Sequence, residues 1–131
     1  MSARLLACLF VAGGCGALSR FGLSTALGSV FGKGSPWGTA IVNLFGCLLF
    51  GAIVGLFAVK TRWDPQIKTI ALTGFCGAFT TFSTYAFELH SLLKAREYGR
   101  ACLDFLVQNV LGLGALALGL WLAAALARRS L

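Results

Sequence analysis

Charge is what this sequence has least of. Only 11% of its 131 residues are Asp, Glu, Lys or Arg, against roughly a quarter in soluble domains, so no water-facing shell can be drawn around the rest. The acids number four, Asp64, Glu88, Glu97 and Asp104, and His90 is the one histidine. Such a set offers no Ser/His/Asp or Cys/His arrangement, no metal cluster and no support for an enzyme. The five cysteines, Cys8, Cys15, Cys47, Cys76 and Cys102, include no CxxC pair and fall in or beside apolar runs. That excludes a disulfide framework and a zinc site and leaves them as small packing residues. A phosphate-cradling glycine loop is missing too, and the chain has no length left for a soluble catalytic or nucleic-acid-binding domain.

What the sequence does have is apolar length, with 58% of residues hydrophobic. A bilayer core about 30 Å thick takes roughly 20 apolar residues per helical span. Four stretches of that size follow one another, from about Leu5 to Leu27, Trp37 to Val59, Thr69 to Leu93 and Ala101 to Ala127. Residues 1–131 therefore read as one all-α, multi-pass domain of four transmembrane helices. Met1 to Ser19 has the outline of a cleaved leader, but apolar sequence resumes past Cys15, and one full span is the better reading. Between spans lie turn chemistry around Lys33 and Pro36, then Lys60, Arg62, Asp64, Pro65 and Lys68, then Lys94, Arg96, Glu97 and Arg100. Pro36 and Trp37 suit the first turn and the headgroup boundary of span two.

The net charge of +7 has a topological meaning before any other. Four spans put both termini and the second connector on one side, with Arg4, Lys60, Arg62, Lys68, Arg128 and Arg129, against Lys33, Lys94, Arg96 and Arg100 opposite. Six against four is too small an excess to fix an orientation. The sequence thus predicts dual topology, and two oppositely inserted copies can pair as an antiparallel homodimer with the inverted-repeat geometry of many transporters. Gly51 and Gly55, in GxxxG spacing, mark a candidate helix contact face.

Span three departs from a plain lipid-facing helix between Thr73 and Tyr85. Gly74 and Gly77 are followed by Thr80, Thr81, Ser83 and Thr84, a combination that weakens a helix. A break in mid-bilayer strands backbone groups and is tolerated only where protein, water or an ion satisfies them. Freed carbonyls attract cations, and the amides of a helix start attract anions. Phe82 and Tyr85, three apart, share a helix face and carry electropositive ring edges. Asn43 is the lone amide of span two, either glue between helices or a donor to a pathway. Arg20, inside span one, either snorkels to the headgroups or faces a cavity.

The run from Gly74 to Tyr85 closely resembles the third-helix signature of Fluc-type (CrcB family) fluoride channels, and Gly38 to Leu44 resembles their second-helix signature. The resemblance extends to the length, the four spans, the weak charge bias and the position of Arg20. It implies an antiparallel homodimer in the cell (plasma or inner) membrane, with two fluoride pathways, a central structural sodium ion and passive export of cytoplasmic fluoride. By motif position, the sodium-coordinating carbonyls fall on Gly77 and Thr80, the pore asparagine on Asn43, the paired aromatics on Phe82 and Tyr85, and the hydroxyl track on Ser83 and Thr84. Tyr85 stands where the family usually has phenylalanine. Leu111-Gly112-Leu113 has no hydroxyl where family members often carry a span-four serine, so either Gln108 or Asn109 supplies that contact or the contact is absent.

Two other classes fit the outline. A small proton-coupled multidrug exporter shares the size and dual topology, but needs an acid in span one, where this chain has Arg20 and no carboxylate. A non-conducting structural subunit leaves the hydroxyl and aromatic cluster of span three without a use.

Overall fold

Helix α1, Ala3–Phe31, starts where the Ser2 hydroxyl accepts the Leu5 amide and stops at Gly32, whose φ of 93° few other residues tolerate. Helix α2, Trp37–Val59, has the limits predicted for span two. These elements belong to a computed structural model that describes residues 2–32, 35–59 and 63–129, without the side chain of Arg129. Lys33, Lys60 and Arg62 of the charge count lie outside the described residues.

The third span is assembled from pieces. Helix α3, Pro65–Thr69, begins four residues earlier than predicted, because the Asp64 carboxylate caps the Gln66 amide at 2.8 Å and Pro65 suits a first turn. A widened π-helical stretch, Ile70–Cys76, leads into the single turn α4, Gly77–Phe79. There the helix breaks. Thr80 (φ −84°, ψ 158°) and Thr81 (φ −145°, ψ 111°) are extended, and α5, Phe82–Lys94, starts afresh. The expected discontinuity is present, at the Thr80–Thr81 pair.

A tight corner joins the last two spans. The Arg96 and Glu97 amides reach back to the Leu93 and Leu92 carbonyls at 3.0 and 2.9 Å, closing a Schellman motif with Arg96 in its left-handed position at φ 60°. Helix α6, Tyr98–Leu106, then runs through a second π-helical stretch, Val107–Leu111, into α7, Gly112–Arg129. All four spans are long and apolar enough to cross a membrane.

Spans two and four run parallel and make the closest contact of the bundle. A Cβ added at Gly51 would overlap the Leu116 carbonyl, one at Gly55 would crowd the Leu120 carbonyl, and one at Gly119 would overlap the Leu48 carbonyl. The GxxxG face is therefore an intramolecular seam of backbone against backbone. Across the bundle, α1 lies along the Ile70–Cys76 stretch, with Gly16 against the Phe75 carbonyl. Buried residues such as Ala40, Val42, Cys76, Phe79 and Tyr85 gather near the break, while Phe10, Phe21, Phe82 and Trp121 are exposed on the outside. That outside is apolar, as a lipid-facing or subunit-facing surface must be.

Candidate functional site

A helix that stops at Phe79 loses the amides that would have closed on its last carbonyls. Two of the displaced amides find side-chain partners. The Thr81 amide, due to bond Gly77 in a continuous helix, donates instead to Asn43 Oδ1 at 2.8 Å. The Thr84 amide, due to bond Thr80, is capped by Thr81 Oγ1 at 3.3 Å. The carbonyls of Gly77 and Thr80 are thus released from the helix, and Gly77 lies exposed. The Ala78 carbonyl is taken by Arg20, whose Nε donates to it at 3.2 Å. Arg20 reaches the break and not the headgroups.

Asn43 bridges the gap. Its Nδ2 returns a bond to the Thr81 carbonyl at 3.1 Å and gives a second to Gln108 Oε1 at 2.7 Å. Gln108 Nε2 in turn donates to Asp104 Oδ1 at 2.9 Å. A continuous polar chain therefore crosses three spans, from Asp104 through Gln108 and Asn43 to Thr81. The Thr80 methyl sits where a side chain on Gly46 would be, which lets span two approach the break this closely.

Two cavities meet at Thr81. One, of about 320 Å³, is lined by Arg20, Ser24, Thr39, Thr81, Thr84 and Glu88. The other, of about 200 Å³, is lined by Asn43, Cys47, Thr80, Thr81, Phe82, Tyr85, Gln108 and Asn109. In a regular α-helix, Gln108 and Asn109 would diverge by about 100°. Within the wider turn of Val107–Leu111, both line the second cavity.

The aromatic pair is formed as the spacing predicts. The Phe82 and Tyr85 rings meet edge to face at 65°, with centroids 5.7 Å apart. Their environments differ sharply, for Phe82 is 77% exposed and Tyr85 is 6% exposed. The Tyr85 hydroxyl accepts a bond from Asn109 Nδ2 at 2.9 Å, which leaves its own hydrogen to donate elsewhere. Thr81 Oγ1 lies 2.9 Å from Thr84 Oγ1 and 3.4 Å from Ser83 Oγ, a short hydroxyl track along the start of α5.

Two groups in the site escaped the sequence reading. Glu88 accepts the Thr39 hydroxyl at 2.7 Å, and Asp104 holds Gln108, yet Glu88 Oε2 and Asp104 Oδ2 are buried without a hydrogen-bond partner among the described residues. Four residues separate Asp104 from Gln108, a signal that was available. The Glu88–Thr39 pairing is set by packing between spans and has no such signature. Among the described residues no group of His, Cys, Asp and Glu could hold a metal.

Residues 7–120 match the family described as CrcB-like protein, Camphor Resistance (CrcB). The chain is 45% identical over 114 residues to the fluoride-specific ion channel FluC of Nitrosococcus oceani, covering 87% of this chain and 91% of that one. It is 42% identical over 110 residues to the protein of that name in Solidesulfovibrio magneticus, with 84% and 88% covered. With the protein of that name in Maridesulfovibrio salexigens it shares 41% over 117 residues, 85% and 93% of the two chains.

Proposed function

Because this chain belongs to the CrcB-like family of multi-pass membrane proteins, we propose that it is a fluoride channel that lets cytoplasmic fluoride leave passively across the plasma or inner membrane. The observation that carries the reading is the second cavity, where Asn109, Tyr85 and the edge of Phe82 converge beside the stitched break in span three. Fluoride is small and strongly hydrated, and several close donors must replace its water at once. The Tyr85 hydroxyl supplies a free donor, the rings supply positive edges, Ser83 and Thr84 continue the path with hydroxyls, and Asn43, both of whose amide hydrogens are held by Thr81 and Gln108, shapes the wall. Arg20, on the first cavity, raises the local anion concentration at an entrance.

The exposed Phe82 is half of a wall, and a second copy inserted the other way would supply the other half. Two such copies give an antiparallel homodimer with two pathways. The released carbonyls of Gly77 and Thr80 are neutral oxygen donors, suited to a hard monovalent cation, and two copies would contribute four of them. A sodium ion held there supplies a fixed positive charge between the two protomers. The ligands being backbone atoms, the site depends on the break and not on side-chain identity.

The buried carboxyls of Glu88 and Asp104 favour one other reading, a proton-coupled exporter. Reconstituted vesicles separate the two. Fluoride loaded inside should leave when a potassium ionophore balances charge, with no pH gradient required, and chloride should stay behind. Efflux that demands a proton gradient, or equal loss of chloride, overturns the channel. Termini accessible from both faces of the vesicles support the antiparallel pair, and labelling from one face alone refutes it.

A further inference from the structure

We propose that Asp104 is a positioning residue that sets the direction of the hydrogen-bond chain at the helix break by acting through Gln108. This rests on the channel reading above and adds a residue to it. Asp104 is 3% exposed on α6, and the one hydrogen bond of its carboxylate among the described residues is the 2.9 Å contact from Gln108 Nε2. Arg100, one turn earlier on the same helix, pairs with Glu97 at the surface and leaves Asp104 alone. A carboxylate at this depth is costly, and a single partner is a narrow return.

Its consequence lies one turn further on. A carboxylate only accepts hydrogen bonds, so it can hold the Gln108 amide only by its NH2 end. The carbonyl end of Gln108 must then face Asn43, and Oε1 receives Asn43 Nδ2 at 2.7 Å. Turned over, Gln108 would aim NH2 at NH2 and carbonyl at carboxylate, two unfavourable contacts. Thr81 fixes the far end in the same sense, because its amide can only donate and takes Asn43 Oδ1 at 2.8 Å. Asp104 and the Thr81 amide thus polarise the chain from opposite ends, and the two amides between them have one arrangement.

That arrangement matters to an anion. Gln108 Oε1 carries partial negative charge at the wall of the cavity that Asn43, Phe82 and Tyr85 line, and its bond from Asn43 Nδ2 holds and partly neutralises that oxygen there. Without the acceptor at position 104, Gln108 is free to rotate. Its oxygen then enters the anion path, and Asn43 loses one of its ties. Asp104 itself lines a small neighbouring pocket with Pro36, Trp37, Arg100 and Leu103 and not the cavity of Phe82 and Tyr85, so it acts through Gln108 and not on the ion.

The test is fluoride efflux from vesicles holding the parent, Asp104→Asn, Asp104→Leu, Gln108→Leu and the Asp104→Leu/Gln108→Leu double variant. Asp104→Asn keeps an acceptor and loses the charge, and should conduct close to the parent. Asp104→Leu should be slower by about tenfold, the worth of one charge-assisted hydrogen bond. The double variant should be no slower than Gln108→Leu alone, because the effect of position 104 passes through Gln108. Should Asp104→Leu fail to reconstitute, Asp104→Ser, too short to reach Gln108, takes its place in each arm. The proposal is overturned if the Leu or Ser variant conducts like the parent, if Asn and Leu are equally impaired, or if the two losses multiply. A parent that passes no fluoride removes the channel reading and this proposal together; a conducting parent with an indifferent Asp104 removes the proposal alone.

Discussion

Asn43 and Thr81 bond each other twice, the carboxamide taking the Thr81 amide at 2.8 Å and giving to its carbonyl at 3.1 Å. A side chain here does what a neighbouring β-strand would do, pairing with both backbone groups of an extended residue. Asn43→Asp keeps the first bond, loses the second along with the tie to Gln108, and faces two carbonyl oxygens with a negative charge. Fluoride efflux from reconstituted vesicles should stop. Parent-like flux would take Asn43 out of the pathway.

The two rings of the cavity should answer substitution differently. Phe82→Ile keeps apolar volume and removes the positive ring edge, so flux should fall by an order of magnitude or more, a loss of about 1–2 kcal/mol of anion stabilisation. Tyr85→Phe keeps the edge and removes the hydroxyl, one donor of the path and the acceptor of Asn109, which retains its bond to the Phe105 carbonyl at 2.8 Å. Flux should remain within a few-fold of the parent, as measured by initial efflux rates.

The carbonyl site is separable from side-chain chemistry. Thr80→Ser leaves the backbone and the hydroxyl bond to the Cys76 carbonyl available, and should preserve any dependence of flux on sodium. At Gly77 an added Cβ would meet only the Leu72 carbonyl, at 3.6 Å, so the single chain has room for a side chain. Gly77→Leu should therefore fold but lose pairing, which chemical cross-linking of copies in the membrane detects. Continued pairing with unchanged sodium dependence would remove Gly77 from the site.

Arg96 holds a left-handed conformation in the Schellman turn, a position where glycine avoids a Cβ clash. Arg96→Gly should stabilise the fold by about 0.5–1 kcal/mol, read as a higher midpoint in reversible unfolding, with flux unchanged.

The spans and the break were legible because each has a compositional cause. Pro36 and Trp37 mark the start of α2, and Thr80 and Thr81 fall where glycines and hydroxyls accumulate. The paired rings followed from a spacing of three, and Arg20 from the oddity of a charge in a span. The two π-helical stretches were not legible, since a wider turn changes neither hydropathy nor residue type. Without that turn, the sequence left Gln108 and Asn109 as alternatives, where the fold lines the cavity with both. Glu88 and Asp104 were noticed only as acids near span ends, because their partners Thr39 and Gln108 are supplied by packing and by helix register.

The glycine seam between α2 and α7 has a mechanical meaning. A contact made of side chains can repack by changing rotamers, but Gly51, Gly55 and Gly119 bring main chain to main chain, and main chain has no rotamers to change. Spans two and four must then move as one body and carry Asn43, Gln108 and Asn109 with fixed mutual spacing. Span three is interrupted at the two extended residues Thr80 and Thr81, and Asn43 ties Thr81 to that body by two hydrogen bonds. The break in span three is thus anchored to the rigid pair, and any bending of span three there works against the two Asn43 bonds.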